Sequence, residues 1–158
     1  MSVRLCGPPR RAGGPAPDRA LLARRARAVL RALGHPRAEL SLALVDDAAI
    51  AALNERDRGR AGPTDVLSYS LLEGPHSERR AGLLGDVVIS VDTAARQARR
   101  GRRSLDDECL RLLVHGVLHL LGHDHERDDE ARRMRGEERR VLRALQAAGD
   151  PGRRSRPA

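Results

Sequence analysis

Lysine, phenylalanine and tryptophan are absent from this chain of 158 residues, and Tyr69 is its one member of the Phe, Trp and Tyr class. With no row of aromatic rings, recognition of single strands by base stacking on an aromatic platform is disfavoured. The core has to be built of Leu, Val, Ile and Ala. Cysteine is almost missing too. Cys6 and Cys109 offer neither a disulfide framework nor a Cys-x-x-Cys zinc pattern, and both are expected in the core of a protein from a reducing compartment. The opening "MSVRLCGPPRRAGGPAP" has Arg, Pro and Gly where a signal peptide needs an unbroken apolar stretch. No apolar run approaches the length of a membrane span. A cytoplasmic protein with no membrane partner is the expectation.

What is abundant is arginine. All thirty basic residues are Arg, against twenty-two acidic ones, for a formal net charge of +8. Such a surface attracts polyanions, and the guanidinium fork suits bidentate contact with phosphate, so nucleic acid is the natural partner class. The plain alternative is a solvated arginine surface in an organism with a GC-rich genome.

The length supports one compact domain, expected over residues 1–148 and followed by a basic tail at 149–158. "SVRLC" alternates as a first strand, and Asp18–Leu33 reads as a helix with Leu21, Leu22, Val29, Leu30 and Leu33 on one side and arginines on the other. Ala38–Val45 alternates as a strand. Asp46 can cap a short helix through Leu53, before a polar loop over Asn54–Pro63. "TDVLSYSLL" reads as a strand, "EGPHSERRAG" as a loop with a solvated His76, and Leu83–Val91 as the strongest strand of the chain. Asp92 or Thr93 then opens a helix to about Arg100. Ser104 and Asp107 have capping-box spacing at the head of a long helix to about Leu121, and a final helix spans Asp128 to about Ala148. Helices and strands are interleaved. This predicts an α/β (α+β) domain, with about four strands in one mixed sheet, five to six helices, and a metal site at the end of a central helix.

That site is read from "HGVLHLLGHDH", His115–His125, which holds four of the six histidines. His115 and His119 are four apart, so on a helix both imidazoles lie on one face, a turn apart. Gly122 can end the helix in a left-handed conformation and let the chain bring His125 to the same ion. Three neutral histidines leave a metal its double charge and an open position, where bound water is acidified toward neutrality. One zinc ion fits best, with nickel, copper or iron as competitors. His123 reads as a pocket wall or as a group supporting the ligand histidines from behind, and Asp124 either orients an imidazole or caps the next turn. Metzincin proteases share the histidine spacing but carry a glutamate general base after the first histidine. Here that position is Gly116. A metzincin-like hydrolase acting on peptides therefore lacks its proton acceptor.

"HGVLHLLGHDH" resembles the signature of the YbeY endoribonuclease family, the bacterial rRNA maturation factors. "LNERDRGRAGPTDVLSYS", Leu53–Ser70, resembles the family's segment leading into Pro-Thr-Asp-Val-Leu-Ser-Phe-Pro. "LLGDVVISVDTAARQA", Leu83–Ala98, resembles its Leu-Gly-Asp-Ile strand and the helix after it. Order and spacing agree across about Ala38–Leu145.

The resemblance implies a metal-dependent, single-strand-specific endoribonuclease, acting in maturation of the 16S rRNA 3′ end and in ribosome quality control. Its partners would be the small ribosomal subunit and assembly factors. It implies His115, His119 and His125 as ligands and Arg58 as the functional arginine. Three positions depart from the family pattern: Asp57 where an aromatic residue commonly precedes that arginine, Tyr69 for Phe, and Ser70 for Pro. From chemistry, a guanidinium beside a metal-bound hydroxide can hold a phosphodiester and stabilise charge developing on it, so no carboxylate base is needed. The attacking group, water or the RNA 2′-hydroxyl, is left open. Asp86 and Asp65 read either as groups contacting substrate or ligand histidines, or as turn formers bonding their own backbone. Thr64–Ser68 reads as an edge strand that can contact substrate through its backbone, with Ser68 at its end. A non-catalytic assembly module held together by zinc is the further alternative.

Overall fold

The computed structural model describes residues 2–7, 14–71 and 82–149. His76 and all but Gly149 of the expected tail lie outside them. The elements run β1 (Ser2–Cys6), α1 (Arg19–Ala32), β2 (Glu39–Val45), α2 (Asp47–Arg58), β3 (Val66–Ser70), β4 (Leu83–Ser90), α3 (Val91–Arg100), α4 (Leu105–Leu120) and α5 (Asp128–Ala147). The predicted mixed sheet and helix count hold in a single α+β domain. The strand order is β1-β2-β4-β3, with β1, β2 and β4 parallel and β3 antiparallel to β4.

The sheet has two different faces, because side chains alternate along each strand. Leu40, Leu42 and Leu44 of β2 and Val87 and Ile89 of β4 point into the main core with α1, α4 and α5. Val88, Ala43 and Val45 point the other way, toward Ile50 and Leu53 of α2. Helix α4 is the most deeply held element. Leu110, Leu112, Leu113, Val114, Val117, Leu118 and Leu120 are all buried. Full burial of one such side chain contributes about 1.5–3 kcal/mol, so the helix that presents the histidines is firmly anchored.

Local signals placed most boundaries. Asp18, Asp46 and Ser104 accept from the amides of Leu21, Ala49 and Asp107 as N-caps. Four expectations need correction. Helix α2 does not stop at Leu53 but runs to Arg58. The residues from Asn54 to Arg58 continue the turn until Gly59, at φ 65°, supplies the left-handed stop. Strand β4 ends one residue early, since buried Ser90 caps α3 by accepting from the Thr93 amide, ahead of the expected Asp92 or Thr93. Arg25 was expected outside but is 1% exposed. It sits within the apolar stripe of α1 because its guanidinium meets the head of α4, at the Asp106 carbonyl (3.2 Å) and the Asp107 carboxylate (3.0 Å). Cys109 is in the core, but Cys6 is exposed at the end of edge strand β1. Among the described residues no helix is long and apolar enough to cross a membrane.

Candidate metal centre

His115 and His119 lie in the last turns of α4. The helix ends at Leu120 with Leu121 as its C-cap, and the chain reverses through Gly122 at φ 94°, where a side chain would be strained. The Gly122 amide donates to the His119 carbonyl and the His123 amide to the Leu118 carbonyl, the paired bonds of a Schellman stop. Asp124 accepts from the His125 amide at 2.7 Å, within the chain reversal. The reversal swings His125 back over the helix end.

Three ring nitrogens converge there. His119 Nε2 is 3.1 Å from His115 Nε2 and 3.1 Å from His125 Nδ1. The three ligand atoms lie within 4.8 Å of one another. Nitrogens around a tetrahedral ion with ~2.0–2.1 Å bonds stand about 3.3 Å apart, so the spacing fits one small cation. Burial first, then the nearby His115 and His125, holds the His119 imidazole below its usual pKa, which keeps it in the neutral, ligating form. Neutral lone pairs facing each other at this distance repel, and a shared cation removes that cost.

One partner was missed from sequence. Glu138 of α5 places Oε1 2.7 Å from His115 Nδ1. A carboxylate can only accept, so Nδ1 carries the proton and Nε2 is left with its lone pair toward the other two histidines. This is the usual way a protein fixes the tautomer of a metal-binding imidazole. The signal for it was weak. Glu138 is thirteen residues beyond His125, on another helix, among many other charges.

Gly116 has a steric explanation. A Cβ there would come within 2.8 Å of Val87 Cγ1 and 3.1 Å of Ser68 Oγ. The position following His115 faces the sheet, not the ligand cluster, and no glutamate fits. Ser68 Oγ donates to the Gly116 carbonyl at 3.0 Å, docking β3 on α4.

The histidines open onto a groove of about 700 Å3, whose walls include Arg58, Asp65, Ser68 and His123. Arg58 is the last residue of α2, not a loop residue as expected. Its guanidinium donates to the Ser68 carbonyl at 2.6 Å and lies 5.4 Å from the Tyr69 ring centroid. Two of the departures from the family pattern meet here, because the Tyr69 hydroxyl donates to the Asp57 carboxylate at 2.8 Å. Asp57, bonded first by Arg56 and then by Tyr69, is held at about 2, while burial and the Asp57 bond push Tyr69 up to about 12. Asp65 bonds the Val66 amide with one oxygen and Gln97 with the other, so it is largely engaged in tying β3 to α3. His123 lines the groove but stands outside the ligand cluster. Asp86 is not brought to the groove: it pairs with Tyr69 and Ser41 on the sheet face opposite α4. The groove is of mixed charge: beside Arg58 and Arg60 its walls carry Asp65, Asp124 and Glu126.

Comparison with known proteins supports one family. Residues 19–146 match the family model described as Endoribonuclease YbeY. The protein named Endoribonuclease YbeY from Anaeromyxobacter sp. (strain Fw109-5) is 52% identical over 134 residues, covering 85% of this chain and 68% of that relative. The protein of the same name from Pelotomaculum thermopropionicum is 50% identical over 131 residues, covering 79% and 84%. The solution structure of TM1509 from Thermotoga maritima superposes with a TM-score of 0.56 at 22% identity, covering 96% of this chain and 99% of that one, a likeness of fold. With its model matched over most of the chain and about half of the aligned residues shared with curated relatives, this protein belongs to the YbeY endoribonuclease family.

Proposed function

We propose that this chain is a zinc-dependent endoribonuclease that cuts single-stranded RNA, and that it acts in the cytoplasm on the 3′ end of 16S rRNA with the small ribosomal subunit and assembly factors as partners. The carrying observation is the convergence of three imidazole nitrogens on one wall of a groove that Arg58 also lines. His115, His119 and His125 would hold the ion. When bound, it would supply Lewis acidity and lower the pKa of water toward neutrality. The rest of the chemistry belongs to the chain. Arg58 binds a phosphate oxygen through its outward N–H groups, pre-oriented by the Ser68 carbonyl and the Tyr69 ring. Glu138 keeps the His115 proton on Nδ1. The edge of β3, Val66–Ser70, borders the strand path. Asp65, Ser68 and His123, which line the groove, complete the proposed substrate contacts, and Asp86, on the other face of the sheet, is left out of them. Gly116, buried against the sheet, disfavours a zincin-type peptide hydrolase.

The test is cleavage of a labelled single-stranded RNA beside its duplex form, with wild type, His115→Ala and Arg58→Ala purified in parallel. The single strand should be cut and the duplex spared. The His115 variant should be inactive, and the Arg58 variant should lose about 10²–10³ in rate with metal binding retained, the usual effect of removing one transition-state donor. Equal cutting by all three would assign the activity to a contaminant. Zinc binding without any cleavage would favour the assembly-module reading. Co-sedimentation with small ribosomal subunits checks the partner.

A further inference from the structure

A second cavity, of about 520 Å3, opens on the far side of His115, between the corner joining α3 to α4 and the inner side of α5. It shares His115 and Asp65 with the metal groove, so the two cavities adjoin across these side chains beside the ligand cluster. Its walls include Arg100, Arg103 and Arg111. We propose that this cavity is an RNA subsite, in which the guanidinium groups of Arg100, Arg103 and Arg111 hold backbone phosphates of the strand running on from the metal centre. The proposal rests on the RNA reading above and adds where the strand goes.

The charges are arranged for it. Three carboxylates also line the cavity, but each has a partner. Asp65 bonds Gln97, and Glu138 bonds His115. Glu108, 3% exposed, accepts on one oxygen from Arg103 Nε at 2.8 Å and Arg111 Nη1 at 3.2 Å. That buried carboxylate sits beneath two guanidiniums whose side chains are 36% and 47% exposed. It fixes one nitrogen of each and leaves their other N–H groups directed elsewhere, a pre-positioned pair of forks of the kind that binds phosphate bidentately. Arg100, in the last turn of α3, adds a third guanidinium with no ion pair among the described residues.

Gly101 is part of the device. A Cβ on it would lie within 2.7 Å of three guanidinium atoms of Arg103, so only glycine lets that side chain fold back across the turn. Its φ of −87° is ordinary, and alanine would be accepted by the backbone. Gly101→Ala therefore displaces the Arg103 guanidinium without changing the charge.

The experiment measures binding of the full chain to two fluorescent single-stranded RNAs, with chelator present to stop turnover. One RNA is short enough to fill only the metal groove and the other is long enough to enter both. Arg100→Gln/Arg103→Gln keeps Arg111 to neutralise Glu108, and Gly101→Ala serves as the charge-conserving variant. The double variant should bind the long RNA roughly tenfold more weakly, and its log–log salt slope should be shallower by about 1.4, at about 0.7 per phosphate contact on a single strand. Gly101→Ala should weaken the long RNA several-fold, and the short RNA should be unaffected by either change. Unchanged binding of the long RNA, or equal losses on both RNAs, overturns the subsite while the nuclease reading stands. Failure of wild type to bind either RNA overturns both.

Discussion

Single residues set the chemistry, and two of them are open to direct measurement. A Cβ at Gly116 would press on Val87 and Ser68. Alanine there gains about 0.5–1 kcal/mol of helix propensity but meets an overpacking cost of about 1–3 kcal/mol, because the β-branched Val87 is buried and has little room to yield. Gly116→Ala should therefore lower stability by about 1–2 kcal/mol in urea titration, and a stabilised variant would refute the close packing. Tyr69 is the only tyrosine, so phenolate absorbance reports this one group. Its transition should fall near pH 12 instead of 10, and Asp57→Asn should move it down. The folded pKa is raised, so the linked stability is fully present below pH 10 and is lost as pH rises toward 12. A wild-type transition at 10 would mean that neither the burial of Tyr69 nor its bond to Asp57 persists in solution.

At the scale of elements, the site is the meeting of two helix ends and the middle of a third. Helix α4 supplies two imidazoles, the turn after it supplies the third, and α2 ends on Arg58. Helix α5 contributes Glu138, and through it this helix governs the first ligand. Glu138→Ala should weaken zinc binding about 10–100-fold in competition with a chromophoric chelator, the range found for partners that orient metal-binding histidines. Glu138→Gln keeps an acceptor for Nδ1–H and should recover part of the loss. Equal affinity in all three proteins would make the 2.7 Å contact incidental. Much at this scale was readable in advance. The periodicity of α4, its Ser104 cap and its glycine stop place His115 and His119 on one face and send the chain back at Gly122. The length of α2 was not readable, because Asn54–Arg58 is polar and lacks an apolar period, and only the Gly59 conformation marks its end.

For the whole molecule, a single core joins the ligand helix to the sheet and to α1 and α5, so occupancy of the metal site should be felt globally. A ligand bound only to the folded state at 100 times its dissociation constant adds about 2.7 kcal/mol. Zinc should raise the urea midpoint accordingly, chelator should reverse the rise, and His119→Ala should abolish it. No shift in wild type would mean that the cluster does not bind the ion in the folded state. The sequence by itself determined the mixed α+β class, most element boundaries, the three candidate ligands and the family. These depend on local quantities: hydrophobic period, capping side chains, and the spacing of histidines along one helix. Only the tertiary structure decided the strand order β1-β2-β4-β3, the turning of Asp86 to the face away from α4, the inward placing of Arg25 against α4, and the pairing of Glu138 with His115. Each of these brings together groups far apart in the chain. Which charge meets which is settled by how helices and sheet close over one core, and the local pattern around an arginine or glutamate does not carry that information.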